Sequence, residues 1–211
     1  MKNEDAKKLY GFIELAQNMK IETRATVLKN SKNESVADHT YFAILLAELI
    51  LDSLEIKMDR NKAIRMILIH DLPEAITGDY HSYKVHSGEL SREEKKQREK
   101  EAINKYLNIL PDTQSKALSV LWEEYEQQDS TEAKFAKTID RLETMIQWAS
   151  MDFEFYHDGH DYMGTYGNKE ISDFPELLPL WNEMKTRLKE RFAAKGAEWK
   201  LEYELNTQER R

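Results

Sequence analysis

The sequence contains no cysteine, which excludes disulfide bonds and thiolate metal sites and fits a reducing compartment. No apolar run has the length that a bilayer span requires, and the first residues do not resemble a signal peptide. Basic charge is not in excess, since the formal net charge is −8, which argues against non-specific binding to nucleic acid. These absences predict a soluble cytoplasmic protein that binds neither nucleic acid nor membranes. A small phosphorylated ligand is still compatible, because one metal ion and one arginine can supply positive charge locally.

The spacing of apolar residues predicts helices throughout the chain. The 211 residues suffice for one domain with a substantial core, and strand alternation, repeats and domain linkers are not evident. We therefore predict an all-α fold, a single-domain bundle of about six or seven helices over residues 1–196, followed by a charged tail over residues 197–211. Helical periodicity is present over residues 5–19, 36–50, 63–74, 91–110, 118–125, 131–155 and 174–194.

The stretch from Ile67 to Asp79 joins an apolar helix to a turn. His70 and Asp71 end the apolar run, and burying them beside isoleucine and leucine is unfavourable unless a partner satisfies both. A divalent cation is such a partner, because it binds neutral imidazole and carboxylate together. Pro73 predicts that the helix ends here and that a short new helix begins. Glu74 follows His70 by one turn and can point the same way.

The sequence holds three His-Asp doublets, and their contexts differ. His157-Asp158 and His160-Asp161 precede Gly164 and Gly167 in a segment whose composition is typical of loops. Only His70-Asp71 ends an apolar run that could fix the geometry of metal ligands. We therefore predict that the two later doublets belong to a polar surface loop and are not ligands.

Two more residues occupy helical positions from which they could join this site. His39 lies on the buried stripe of a helix that Ser35 and Asp38 begin with a capping box. Asp140 lies on the shoulder of the apolar stripe of the helix over residues 131–155. A histidine on a core face can equally be a core residue with a backbone partner. A carboxylate at the position of Asp140 can equally form an ion pair with Lys137 or Arg141.

Three other candidates also have ordinary interpretations. Arg24 lies in a polar, irregular segment over residues 20–32, where arginines are usually solvated. Glu74 can be a helix-start carboxylate and Asp79 a turn residue. The chemistry of these residues therefore depends on whether the fold brings them to His70 and Asp71.

The order of His39, His70-Asp71 and Asp140 resembles that of the HD-domain metal-dependent phosphohydrolases. Residues 34–39 (ESVADH), 70–79 (HDLPEAITGD) and 132–140 (EAKFAKTID) look more narrowly like the 5′-deoxynucleotidase branch of that family, and residues 121–126 (LWEEYE) also fit it. The resemblance covers roughly residues 8–185. It is the spaced set of motifs, rather than any one of them, that is specific.

The resemblance implies that His39, His70, Asp71 and Asp140 ligate one divalent cation. It further implies that Glu74 and Asp79 act at the reacting phosphate and on the sugar side, that Arg24 recognises the phosphate, and that the protein is a homodimer. Bacterial members carry a tryptophan after this arginine, which contacts the sugar and supports a preference for deoxyribose. Ala25 stands there in this chain, so the resemblance does not predict discrimination against ribonucleotides.

The expected activity is metal-dependent hydrolysis of (deoxy)nucleoside 5′-monophosphates to nucleoside and phosphate. Two imidazoles and two carboxylates suit Mn²⁺, Co²⁺, Fe²⁺, Ni²⁺ or Zn²⁺, with Mg²⁺ as a further possibility. Two alternatives remain open. One is a different HD-fold hydrolase, such as a guanosine tetraphosphate hydrolase or a phosphodiesterase. The other is a non-catalytic interaction protein that keeps the metal for stability alone.

Overall fold

The structure, a computed structural model, describes residues 1–79, 88–150 and 159–204. The described chain forms one helical domain, as predicted, with a small two-stranded sheet. Short 3₁₀ turns lie at Gln17–Lys20, Glu170–Asp173, Pro175–Leu177 and Leu201–Tyr203. The helices are α1 (Asn3–Ala16), α2 (Val36–Ser53), α3 (Arg60–Ile69), α4 (Glu74–Thr77), α5 (Arg92–Leu107), α6 (Asp112–Gln127), α7 (Thr131–Ser150), α8 (His160–Thr165) and α9 (Leu178–Ala194). None of these described helices is long and apolar enough to cross a membrane.

The centre of the domain is helix α7, which packs against α2, α3, α6 and α9. Its apolar stripe includes Phe135, Ile139, Leu142 and Met145, all of which are fully buried. Helices α2 and α3 also pack against each other. This three-helix contact brings together the faces that carry the histidines and carboxylates singled out in the sequence.

The helix ends follow from local sequence. Ser35 begins α2 with the predicted capping box, in which Asp38 bonds back to the Ser35 backbone, and Ser91 begins α5 in the same way. Pro73 stands immediately before the short helix α4, as expected, and the chain then turns at Gly78 with a φ of 76°. A positive φ suits glycine because it has no Cβ. The turn directs the chain to Asp79 beside the site.

The segment over residues 20–32, predicted to be irregular, instead contains a strand that pairs with the residues just before α2. Strands β1 (Thr23–Val27) and β2 (Asn33–Ser35) pair antiparallel, with Thr23 opposite Ser35 and Val27 opposite Asn33. The exposed and inward positions alternate along β1, but the inward residues Arg24 and Thr26 are polar. The apolar alternation that predicts a strand is therefore missing.

Packing on the domain extends into the predicted charged tail. Tyr203 is 1 % exposed and its ring lies against Gly164, where a Cβ would meet ring atoms. Trp199 and Tyr203 also pack on Phe192 of α9, with ring centroids 5.3 and 6.1 Å away. The described part of the tail, up to residue 204, thus contributes to the core. The remaining residues, 205–211, lie outside the described part of the chain.

Lys185 of α9 is a buried cation whose charge should make stability depend on pH. Its ammonium donates a hydrogen bond to the Gly164 carbonyl and lies 5.0 Å from the Trp181 ring. Burial lowers the pKa of Lys185 to about 8. Between that value and the ordinary lysine pKa of about 10.4, the unfolded chain binds more protons, so stability should rise with pH.

Lys185→Met should remove this pH dependence. From pH 7 to pH 9.5, the free energy of unfolding of the wild type should gain roughly 1–2 kcal/mol relative to the variant. Urea unfolding at both pH values measures the difference. Lys189→Met, which alters an exposed lysine on the same helix, serves as the control and should track the wild type. A gap between wild type and Lys185→Met that does not change with pH would contradict the expectation.

Candidate metal centre

Three helices contribute the four residues predicted as metal ligands. His39 lies on α2, one turn from its capped start. His70 directly follows α3, and Asp71 comes next, where the helix is ending. Asp140 lies on α7. Because α2, α3 and α7 pack on one another, their side chains converge at one buried point.

The distances between these side chains define the site. The Oδ2 atom of Asp71 lies 3.1 Å from Nε2 of His70 and 3.7 Å from Nε2 of His39. The Oδ1 atom of Asp140 lies 3.4 Å from Nε2 of His39. His39, His70 and Asp71 each offer one ligand atom, and these atoms all lie within 4.8 Å of one another. Asp140 joins them through its approach to His39.

His39, His70 and Asp71 fit a divalent cation, and Asp140, which is outside that group of three, lies beside it through its 3.4 Å approach to His39. Both Nε2 atoms are buried, and neither makes a hydrogen bond within the described residues, although leaving buried polar atoms unbonded is costly. Metal–ligand bonds of about 2.1 Å would separate adjacent octahedral ligands by about 3 Å and opposite ones by about 4.2 Å. The observed separations of 3.1, 3.4 and 3.7 Å fall in this range. His39, His70, Asp71 and Asp140 could therefore hold one ion.

Each histidine is oriented by a bond from its other ring nitrogen. Nδ1 of His70 donates to the carbonyl of Ile67, 2.6 Å away. Nδ1 of His39 lies 2.5 Å from Oε2 of Glu143. Burial and the charge of Arg24 oppose protonation of His39, but its carboxylate neighbours outweigh both and raise its pKa to about 9. His39 therefore has a carboxylate partner and not the backbone partner expected of a core histidine. His70 has a backbone partner, while its Nε2 still faces Asp71.

Asp140 combines the two interpretations that its sequence position left open. Its Oδ2 atom accepts a hydrogen bond of 2.9 Å from Lys137, while Oδ1 faces His39. Lys137 also lies 3.2 Å from the hydroxyl of Tyr125. Burial would raise the pKa of Asp140, but Lys137 and Arg141 outweigh it and hold the pKa well below its usual range. The ion pair leaves one oxygen free to face the site.

Arg24 is not a solvated surface residue. Its side chain is 12 % exposed, and β1 directs it towards the acidic cluster. Nη1 donates to Oδ2 of Asp71 and Nη2 donates to the hydroxyl of Thr144, each at 3.2 Å. Nε lies 3.3 Å from Oε2 of Glu34 in an ion pair. The guanidinium thus lies beside the centre and could hold an anion there.

Glu74 and Asp79 lie near the ligand candidate Asp71, and the charges of Asp71 and Asp79 both act on Glu74. Glu74 is buried, and its Oε2 atom makes no hydrogen bond within the described residues. Burial, followed by the charges of Asp71 and Asp79, raises the pKa of Glu74 well above its usual range. The backbone of Asp79 donates to Glu22 at 3.2 Å, which fixes the turn after α4. A carboxyl of this kind can exchange a proton with a bound molecule.

Of the two later His-Asp doublets, only His160-Asp161 lies among the described residues, and it does not join the centre. His157-Asp158 lies outside the described residues. His160-Asp161 begins α8 and so belongs to a short helix, not to the predicted loop. Asp161 pairs with Lys200 at 2.5 Å and accepts a hydrogen bond from the hydroxyl of Tyr203. It therefore helps to hold residues 200–203 against α8.

Two buried glutamates near the centre were not singled out in the sequence. Glu143 follows Asp140 by three residues on α7, a spacing that puts both on one side of the helix. Glu34 opens the ESVADH motif, five residues before His39. Burial, then the charge of Glu143, raises the pKa of Glu34 to about 7. Helical spacing could have indicated Glu143, whereas Glu34 depends on the hairpin that the sequence did not predict.

Comparisons with known proteins identify the family of the chain. A family model described as HD domain matches residues 16–171. The chain is 31 % identical to human 5′-deoxynucleotidase HDDC2 over 197 residues, covering 92 % of each chain. It is also 31 % identical to 5′-deoxynucleotidase YGK1 of Saccharomyces cerevisiae over 182 residues, covering 83 % of this chain and 75 % of the yeast protein.

A solved structure shares the fold. It is described as a predicted metal-dependent phosphohydrolase from Magnetospirillum magnetotacticum, and it matches with a TM-score of 0.74 and 21 % identity. The match covers 92 % of this chain and 96 % of that one. The family model and the relatives above 30 % identity go further than the fold: the chain belongs to the HD-domain family, in the branch that contains the 5′-deoxynucleotidases.

Proposed function

We propose that this protein is a metal-dependent phosphomonoesterase that hydrolyses (deoxy)nucleoside 5′-monophosphates to nucleoside and phosphate. The observation that carries the proposal is the pair of buried, unbonded Nε2 atoms of His39 and His70, which face Asp71 and Asp140 beside the guanidinium of Arg24. The names of the 5′-deoxynucleotidase relatives support the same substrate class. The net charge of −8 and the lack of cysteine support a cytoplasmic enzyme for small substrates over one for nucleic acid.

In this proposal, His39, His70, Asp71 and Asp140 hold one divalent cation, which can be Mn²⁺, Co²⁺, Fe²⁺, Ni²⁺, Zn²⁺ or Mg²⁺. When bound, the cation supplies Lewis-acid activation of water and neutralisation of phosphate charge. The chain contributes two imidazoles, which bind a cation in their neutral form, and two carboxylates in a buried pocket, where electrostatic interactions are strong. The ion pair with Lys137 keeps Asp140 ionised and leaves its Oδ1 atom directed at the site.

Arg24, Glu74 and Asp79 act on the substrate. Arg24 binds the phosphate through a charge-assisted hydrogen bond from the fork that now faces Asp71. Glu74 handles a proton, either on the attacking water or on the leaving 5′ oxygen. Asp79 positions water or accepts a hydrogen bond from a sugar hydroxyl. Ala25 is exposed on β1 and offers no ring for the sugar, so we expect weaker discrimination against ribonucleotides than a tryptophan would give.

Chromatographic analysis of all products from a nucleotide panel, together with phosphate release, tests the function, because ring opening of a cyclic nucleotide releases no phosphate and hydrolysis of guanosine tetraphosphate releases pyrophosphate. The panel contains matched ribo- and deoxyribonucleoside 5′-monophosphates, 3′-monophosphates, a cyclic nucleotide and guanosine tetraphosphate, each assayed with added Mn²⁺ or Co²⁺ and with a chelator. Metal-dependent release from 5′-monophosphates alone is the expected result. Activity only on the cyclic nucleotide or the tetraphosphate would assign a different HD-fold hydrolase. Metal binding without turnover of any substrate would favour a non-catalytic protein.

Arg24→Ala should weaken substrate binding. Loss of one charge-assisted hydrogen bond corresponds to roughly 1.5–3 kcal/mol, which is a rise in KM of roughly 10- to 150-fold. Arg24→Lys should recover only part of the loss, because a forked donor becomes a point charge. Steady-state kinetics at saturating metal measures KM. Arg187→Ala removes an exposed arginine and is the control. Unchanged kinetics in both Arg24 variants would remove Arg24 from phosphate binding.

We also propose that the protein is a homodimer that pairs through the outer face of α2. Four large apolar side chains are exposed there, and helical geometry puts them on one side, away from the buried Ala43 and Ala47: Tyr41, Phe42, Leu45 and Leu49. A contiguous apolar face of this kind typically marks an interface. A single helix face can pair with its own copy about a two-fold axis.

Leu45→Glu combined with Leu49→Glu should convert the dimer to a monomer. Two carboxylates on each copy would have to be buried against each other, which is unfavourable. Light scattering after size exclusion measures the mass. Leu201→Glu changes a more exposed apolar side chain elsewhere, 88 % accessible against 42 % for Leu45 and 59 % for Leu49, and should leave the mass unchanged. A double variant with the mass of a dimer would rule out this face.

A further inference from the structure

Glu143 contacts His39, one of the four proposed metal ligands, at Nδ1, the ring nitrogen that does not face the other ligands. It is 5 % exposed, and its Oε2 atom lies 2.5 Å from Nδ1 of His39. With the proton on Nδ1, the imidazole donates to Glu143 and presents the lone pair of Nε2 to Asp71 and Asp140. That lone pair is what a cation requires. The contact therefore selects both the orientation and the tautomer of His39.

Glu34 stands in the same relation to Arg24. It is 1 % exposed, and its Oε2 atom lies 3.3 Å from Nε of the guanidinium. Nε is a separate donor from the two terminal nitrogens, which face Asp71 and Thr144. Glu34 thus pairs with Nε and leaves the two terminal nitrogens directed towards the centre.

Glu34, His39 and Glu143 could themselves be taken for a second metal site, because their ligand atoms lie within 4.8 Å of one another. The contacts argue against it. The positive charge of Arg24 already lies 3.3 Å from Glu34, and a divalent cation beside it would be repelled. Nδ1 of His39 would also have to lose the proton that it donates to Glu143. Glu34 is thus already paired by charge with Arg24 and His39 is already in contact with Glu143, so these contacts do not require an ion.

We propose that Glu143 and Glu34 are positioning residues with separate tasks, Glu143 directing His39 towards the metal and Glu34 directing Arg24 towards the phosphate. The first task needs only the metal site, while the second rests on the proposed function. A carboxylate behind a ligating histidine fixes the ring and increases its basicity, and losing such a partner typically lowers metal affinity 10- to 100-fold. Misdirecting a substrate-positioning group can lower kcat/KM by up to about 100-fold.

The experiment compares Glu143→Gln with Glu34→Gln, two changes that keep side-chain size and remove the charge. Titration of the metal-free protein with Co²⁺, followed by its visible absorption, measures metal affinity without any turnover. Glu143→Gln should weaken Co²⁺ binding 10- to 100-fold, and Glu34→Gln should leave it within about threefold of wild type. Kinetics at saturating Co²⁺ should show the reverse pattern. Glu34→Gln should raise KM by about tenfold or more, while Glu143→Gln should regain most of its activity.

A matched control comes from the same helix as Glu143. Glu132 is a partly buried glutamate of α7 that accepts a hydrogen bond from the backbone of Asp59 and pairs with Lys62 at 3.7 Å, so Glu132→Gln should change neither affinity nor KM. Should Glu143→Gln not fold, Glu143→Asp replaces it. That variant keeps the charge but withdraws it from His39, and the same loss of Co²⁺ affinity is expected.

The outcomes separate this inference from the proposed function. Wild-type Co²⁺ affinity in Glu143→Gln would overturn the role of Glu143, whatever the substrate is. A rise in KM in Arg24→Ala without one in Glu34→Gln would overturn the role of Glu34 and leave the proposed function standing. An unchanged KM in both would overturn the phosphate role of Arg24 and the task of Glu34 with it. Equal losses of affinity in both glutamine variants would overturn the division of tasks.

Discussion

Asp140→Asn is expected to abolish tight binding of a divalent cation and, with it, hydrolysis. Asparagine keeps the shape of the side chain but carries no charge, and its amide is a poor replacement for a carboxylate ligand. The loss of affinity should exceed the 10- to 100-fold that removal of a supporting partner typically causes. His39→Ala should have the same effect, because it removes one of the two imidazoles.

Metal content of the purified variants, measured by mass spectrometry after dialysis, decides the matter. Asp52→Asn is a matched control, since Asp52 forms an exposed ion pair with Arg60 near the end of α2, about 20 Å along the helix from His39. Stability alone would not discriminate, because Asp140→Asn also breaks the ion pair with Lys137. A normal metal content in Asp140→Asn would remove Asp140 from the ligand set and leave it as the partner of Lys137.

The helices could be predicted because their information is local. The capping boxes at Ser35 and Ser91 are encoded within four residues, and the stripe of α7 repeats over the whole helix. The same stripes revealed His39 and His70, since a histidine among buried apolar residues interrupts the pattern. Two helices that each place one histidine on an apolar face indicate a metal site even when the packing of the helices is unknown.

The hairpin of β1 and β2 could not be predicted in this way. Strand prediction relies on alternating apolar residues that face a core, but the inward positions of β1 are Arg24 and Thr26. These side chains are polar because they face the polar centre and not the apolar core. Glu34 on β2 was missed for the same reason. The rule fails here because the inward side chains of the hairpin face the polar centre and so lack the apolar alternation that the rule requires.

The end of the chain shows a different kind of failure. Residues 197–204 carry many charges, so their composition indicates a solvated tail. Yet Tyr203 is buried, because Gly164 has no side chain and leaves room for its ring. Asp161 accepts hydrogen bonds from the Tyr203 hydroxyl and the Lys200 ammonium. These contacts join residues that are 39 and 42 positions apart in the sequence, and the local composition gives no information about such distant partners.

Glu74→Gln is expected to retain the metal and bind nucleotide while kcat falls by about 10²- to 10⁴-fold, the typical contribution of a positioned acid or base. Glutamine keeps the size and hydrogen-bonding capacity of the side chain but cannot transfer a proton as a carboxyl does. The four proposed ligands are complete without Glu74, so its removal should spare the cation. Burial and the charges of Asp71 and Asp79 raise its pKa, which brings the carboxyl closer to the pH at which an enzyme works.

The prediction requires metal content, KM and kcat to be measured on the same preparation, with Glu48→Gln as an exposed control on α2. A fall in kcat with an almost unchanged KM would mean that Glu74 acts mainly in the transition state, and Glu74→Ala should behave similarly. Loss of the cation in Glu74→Gln would instead make Glu74 a ligand or an essential partner of one. A near-normal kcat with the metal retained would reduce Glu74 to a carboxylate at the start of α4, favourable there only for the helix dipole. Metal content and kcat are independent measurements. The three roles considered for Glu74, which are proton transfer, metal ligation and stabilisation of the helix start, each predict a different combination of the two.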